Sequence, residues 1–148
     1  MDDVLDDRGL PTTVFDFEAL EEHERFVREL PIYLEYEDVK NEDNRHLVVS
    51  HSIIHRVWKM RNKPDTSSQN MFKQCATWTR DFRVRDNPEI FNVIGHTPQE
   101  GGANIKKIYA NVDTGCVFNS IGYNIMTAIE YPSLKTVTQD NIDDVTWF

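Results

Sequence analysis

Short strand-like runs outnumber segments with helical spacing, and this predicts an α/β (α+β) domain. The expected architecture is a mostly β sheet of five or six strands with two or three helices. Three observations carry it. IYLEYEDV at 32–39 alternates apolar and acidic residues, the mark of a half-buried strand. HLVVSH at 46–51 follows after the polar turn KNEDNR and predicts a hairpin partner. IFNVI at 90–94 is an unbroken apolar run that stops at Gly95-His96-Thr97-Pro98, as a buried strand does.

The remaining elements follow in order. Residues 1–17 are an acidic lead-in without periodicity, and 18–148 form the domain proper. Residues 18–29 place Leu20, Phe26 and Val27 among charges and read as an amphipathic helix ended by Leu30-Pro31. In the first strand Ile32, Leu34 and Tyr36 point one way, and Tyr33, Glu35 and Glu37 the other. IIHRVWKMR at 53–61 suggests a short helix, 62–70 a loop by composition, and 71–79 a helical or mixed segment. Asp86-Asn87-Pro88 is a turn and Gly101-Gly102 a break. Two further strands are expected at Ile108–Val112 and Tyr123–Glu130.

With 148 residues the chain fits one domain and can bury about 70% of its unfolded surface. The formal net charge of −9 repels phosphate backbones, which argues against nucleic-acid binding but not against a small phosphorylated substrate. No stretch approaches the ~20 apolar residues of a membrane span. The N-terminus MDDVLDDRGL lacks the apolar core of a signal peptide. Cys75 and Cys116 are far apart and make no metal-type pair, so a reducing, cytoplasmic setting is expected.

The chemistry-bearing signal is an apolar strand that runs into a histidine, twice: LVVSHS with His51 and NVIGHTP with His96. Strand ends in α/β sheets are where ligands bind. A histidine there can offer one ring nitrogen to a metal while the other is held by the protein. Either histidine alone also reads as a polar strand terminator. Gly95 is expected to let the backbone turn sharply before His96. Among the other candidates, His55, His23 and His46 read as surface residues. Cys75 and Cys116 read as buried hydrophobes, Asp143-Asp144 as a solvated tail, and Trp58 and Trp78 as core.

The order of these segments, LPIYLEYED, LVVSHS, Trp78-Thr79-Arg80, VIGHTP and NVDTGCVF, resembles the C-terminal half of calcineurin-like metallophosphoesterases. The likeness covers about residues 20–131. Pro98, where many such enzymes have a second histidine, points to the branch of bacterial and phage Ser/Thr protein phosphatases and symmetrical dinucleoside tetraphosphatases. The resemblance implies a partial metallophosphoesterase sandwich. It also implies a divalent metal pair (Mn, Fe or Zn), with His51 and His96 as ligands of one metal. Arg80 would hold phosphate oxygens, its guanidinium fork suiting that task better than Lys would. Gly95, Thr97 and Asp113 would back the site without ligating.

The departures from that family define the rest of the expectation. Its Asp-x-His, Gly-Asp-x-x-Asp-Arg-Gly and Gly-Asn-His-Glu motifs are absent; Asp7-Arg8-Gly9 imitates only the end of the second, with Val4 in place of the bridging Asp. The chain alone should therefore be an incomplete phosphatase acting on a phosphate ester or phosphoprotein. It would need its missing N-terminal half, and exposed apolar surface would favour a homodimer. Three readings stay open: a fragment of a phosphatase, a non-catalytic binding module on a degenerate half-fold, and an unrelated α+β interaction protein whose histidines are structural.

Overall fold

The computed structural model describes residues 17–118 and 122–142. The acidic lead-in up to residue 16, Asp7-Arg8-Gly9 within it, and Asp143-Asp144 lie outside the described residues. The chain divides into two compact units, 1–31 and 32–148. In the first, helix α1 (Phe17–Glu29) carries the Glu24–Arg28 ion pair one turn apart. Its Leu20, Phe26 and Val27 are exposed.

The second unit is a mixed sheet with a small hairpin. The strands are β1 (Tyr33–Lys40), β2 (His46–Ser50), β3 (Ile90–Ile94), β4 (Asn104–Ile105), β5 (Tyr109–Asn111), β6 (Ile125–Ile129) and β7 (Thr136–Asp140). Five of them form one sheet in the order β1-β2-β3-β5-β4, and β6 pairs with β7. β2, β3 and β5 run parallel, while β1 and β4 close the edges antiparallel. The chain is thus α+β as expected, with seven strands in two sheets among the described residues rather than one sheet of five or six. β4 and β7 were not expected: one is two residues long, and the other is exposed along its whole length, so neither carries an apolar signature.

One face of the large sheet is covered by a 3₁₀ helix (His55–Met60), by α2 (Thr66–Trp78) and by the segment at 82–84. Val48, Ile54, Val57, Trp58, Phe72, Ala76 and Ile90 form the main core there. Ile53, Ile94 and Tyr109 form a second cluster with Phe82 and Val84. On the opposite face Phe91, Val93 and Ala110 pack with Ile129, Tyr131 and Leu134 from the hairpin. α2 starts five residues earlier than 71, inside the segment expected to be a loop. Asp65 caps it by accepting from the Ser68 N–H at 2.8 Å. That cap outweighs the weak helix propensity of Ser67, Ser68 and Asn70.

The first strand faces the other way from a simple apolar-inward reading. Tyr33 and Glu35 lie on the helix-covered side, and Leu34 and Tyr36 are each 44% exposed. Tyr33 is held there by edge contacts to Trp58 and Phe72. Glu35 takes His46 Nε2 at 2.8 Å and Arg61 at 3.4 Å, and Arg61 in turn lies 3.6 Å over the Trp58 ring. His46 is therefore a half-buried hydrogen-bond partner of Glu35, not an exposed strand start. Cys75 and Cys116 are free and only half-buried. Trp58 is core, but Trp78 is not.

His55 is not on the surface either: it is 3% exposed. Its Nε2 donates to the Ile108 carbonyl at 2.9 Å, and its Nδ1 is buried without a partner among the described residues. Burial holds its pKa below the ordinary 6.5, with the Arg45 charge adding to the effect. The neutral ring therefore stabilises the fold at neutral pH, and that contribution is lost as pH falls below 6.5, where the unfolded chain takes up the proton first. Urea denaturation of the whole chain should show a falling midpoint between pH 7 and pH 5. His55→Gln, which keeps a donor for Ile108, should flatten that fall.

Arg45 ties the β1–β2 turn to the loop before β3. It is 5% exposed and grips Asp86 with two parallel bonds of 2.8 and 3.0 Å. It also donates to the carbonyls of Asn87 and Ile90. Its own carbonyl accepts from the Tyr131 hydroxyl at 2.7 Å. Arg45→Met should cost about 2–3 kcal/mol in denaturant unfolding, because two buried carbonyls lose their donor. Arg45→Lys should recover little, since an ammonium cannot form the fork.

Candidate functional site

His51 follows β2 directly, His96 stands two residues beyond β3, and Asp113 stands two residues beyond β5. These three strands are parallel neighbours, so their C-terminal ends form one edge of the sheet. The β2 and β3 ends are joined by the Gly95 N–H, which donates to the His51 carbonyl at 3.1 Å.

The two imidazoles meet. His51 Nε2 lies 2.7 Å from His96 Nδ1, with ring centroids 4.5 Å apart and planes inclined by 60°. A contact of that length is a hydrogen bond with one shared proton, so one ring donates and the other accepts. His51 has its pKa lowered, first by burial and then by His96, with Asp113 acting in the opposite sense. Only if both rings were cationic would two like charges stand in contact. His96 Nε2 is buried without a partner among the described residues, and the Trp78 ring meets His96 edge-to-face at 6.2 Å.

The loop carrying His96 is bent at an unfavourable place. His96 has φ +68°, and the Thr97 N–H donates to the Gly95 carbonyl at 2.8 Å. That is a γ-turn of the strained, positive-φ kind. Gly95 does not itself take the left-handed conformation, and a Cβ placed on it would meet Asp113 Cβ at an ordinary 3.7 Å. The sharp turn expected at Gly95 thus falls on His96. Such strain persists only where the surroundings fix it.

Those surroundings include two amides that the sequence reading passed over. Asn92, fully buried in β3, accepts from the Ile54 N–H at 3.0 Å and donates to Val48 O and Ser50 Oγ. Asn111, fully buried in β5, donates to the Thr97 carbonyl at 2.8 Å and accepts from the Asp113 N–H at 3.0 Å. An amide inside an otherwise apolar strand is the signal that could have found them. Thr97 shapes the loop through its carbonyl, which also takes Gln99 Nε2 at 2.7 Å. Asp113 accepts from the Gly115 N–H at 3.0 Å.

Arg80 stands two residues beyond the end of α2, exposed and without an ion-pair partner among the described residues. Among the described residues no set of three or more His, Cys, Asp or Glu side chains is placed to hold a metal ion. The histidine pair supplies two nitrogens, and a catalytic metal takes three protein ligands. The chain's own described residues therefore do not fit a resident metal pair. No family model, curated protein or solved structure matches this chain.

The strain at residue 96 is measurable without any ligand. His96→Ala removes the ring but keeps a Cβ at positive φ, whereas His96→Gly removes both. The glycine variant should be the more stable by about 1 kcal/mol in urea unfolding. Equal stabilities would show that position 96 is unstrained.

Proposed function

We propose that this chain carries the histidine half of a metal-dependent phosphoesterase site of the calcineurin-like kind. The observation that carries the reading is the contact between His51 Nε2 and His96 Nδ1 at 2.7 Å, made by residues at the ends of adjacent parallel strands. The strain at His96 supports it, since strained loops gather at functional sites. Asp113, with its charge acting on His51, backs the pair. Arg80, exposed and without an ion-pair partner among the described residues, is the anion receptor for phosphoryl oxygens.

A bound metal would supply the activated water of such a reaction. Its remaining ligands would have to come from a carboxylate-bearing segment on another polypeptide or another part of a longer chain. The sheet offers a place for it: Leu34 and Tyr36 stand exposed opposite the helix-covered face, beside their cross-strand partners Val49 and Leu47. A partial sandwich covered by a further layer, or by a second copy of the chain, would bury that apolar strip. Half-buried free cysteines accord with a reducing, cytoplasmic location. No helix among the described residues is long and apolar enough to cross a membrane.

The absence of a third ligand among the described residues favours a second reading, a non-catalytic phosphate-binding module on the same half-fold. Activity separates the two. The chain alone should not hydrolyse p-nitrophenyl phosphate with added Mn²⁺. Addition of a polypeptide bearing the Asp-x-His, Gly-Asp-x-x-Asp-Arg-Gly and Gly-Asn-His-Glu motifs should restore turnover that His96→Ala then abolishes. Turnover by the chain alone, lost with a chelator, would contradict the half-site. Failure of every complement would favour the binding module.

A further inference from the structure

Trp78 is 73% exposed, although it ends a helix whose preceding turn is packed into the core. Its only aromatic neighbour among the described residues is His96. An indole left in water forgoes the stabilisation of a large apolar area, as the wholly buried Trp58 does not. The backbone that carries it is nonetheless fastened. The Ala76 carbonyl, two residues earlier, accepts from the Ser52 N–H at 2.8 Å, which fastens the end of α2 to the loop of His51. Thr79 is extended, with φ −72° and ψ 132°. Arg80 therefore follows Trp78 within about 7 Å of extended backbone.

An exposed aromatic beside a histidine pair, with a guanidinium two residues on that has no ion-pair partner among the described residues, has the parts of a site for an anion joined to a flat ring. The guanidinium takes the phosphoryl oxygens. The organic group of the ester leaves the phosphorus by one oxygen, so its first atoms must lie over the neighbouring surface. The indole of Trp78 is the exposed aromatic surface two residues along the chain from that guanidinium. A planar aromatic group gains offset or edge-on ring contacts there that an alkyl group of the same charge does not.

We propose that Trp78 is a specificity-determining residue that makes the site select phosphate esters of aromatic alcohols over aliphatic ones. The proposal rests on the phosphate-binding reading of the histidine pair and Arg80, and its test separates the two. Calorimetric titration of the full chain would use inorganic phosphate, phenyl phosphate and n-propyl phosphate as probes. Phenyl phosphate should bind about fivefold to tenfold more tightly than n-propyl phosphate. Trp78→Leu should abolish that ratio and Trp78→Phe should keep most of it, while inorganic phosphate binds equally to all three proteins. A ratio near one in the unaltered chain, or an unchanged ratio in Trp78→Leu, would overturn the role of Trp78 and leave the phosphate site standing. No binding of inorganic phosphate by the unaltered chain would overturn both.

Discussion

The side-chain amide of Asn92 is the constraint on which the histidine pair depends. It is wholly enclosed in the middle of β3, where an unsatisfied amide would cost several kcal/mol. Its oxygen takes the Ile54 N–H, and its nitrogen donates to Val48 O at 3.2 Å and Ser50 Oγ at 2.9 Å. These bonds bracket residues 51–53 from both sides. The chain leaving β2 is thereby pinned against β3, and Ser50 Oγ donates to Ser52 O at 2.7 Å within the same turn. With β2 and β3 in parallel register, His51 can only emerge beside the end of β3.

His96 is fixed by a complementary device one strand further along. Asn111 holds the Thr97 carbonyl and the Asp113 N–H together, so the β3 and β5 ends act as one loop cluster. The Gln99 N–H, donating to the Asp113 carbonyl at 2.8 Å, closes the same cluster. Within it, His96 accepts a positive φ and presents Nδ1, not Nε2, to its partner. A metal held by two imidazoles at about 2.0–2.1 Å per bond would need the nitrogens somewhat further apart than their present 2.7 Å. The shared proton and a metal are therefore alternative ways of satisfying the same two nitrogens, and metal uptake would move the proton to the outer nitrogen of the ring that donates it.

Much of the sheet was legible because its signals are local. IFNVI reads as a buried strand and is one, and the alternation at 32–39 and the turn at 40–45 mark a hairpin that forms. The facing of β1 was not legible. Leu34 and Tyr36 are the more apolar set, but which side of a strand is covered depends on where Trp58 and Phe72 pack, and those are remote in sequence. The start of α2 was hidden by a polar first turn that only the Asp65 cap makes helical. At the site, both histidines stood out by their place after apolar runs. His55 was misjudged because a single histidine in IIHRVW gives no sign that its ring will be enclosed against Ile108. The burden of the turn on His96 rather than Gly95 is likewise set by tertiary bonds to Asn111, not by residue type.

The central claim is that His51 Nε2 and His96 Nδ1 form one ligand pair. Nitrogen-detected NMR of the imidazoles during titration with Zn²⁺ tests it most directly. The account predicts that His51 Nε2 and His96 Nδ1 shift together, each ring keeping its one proton on its outer nitrogen, while His46 and His55 stay unmoved. Zn²⁺ that shifts only one of the two rings, or that acts first at His46 or His55, would contradict it.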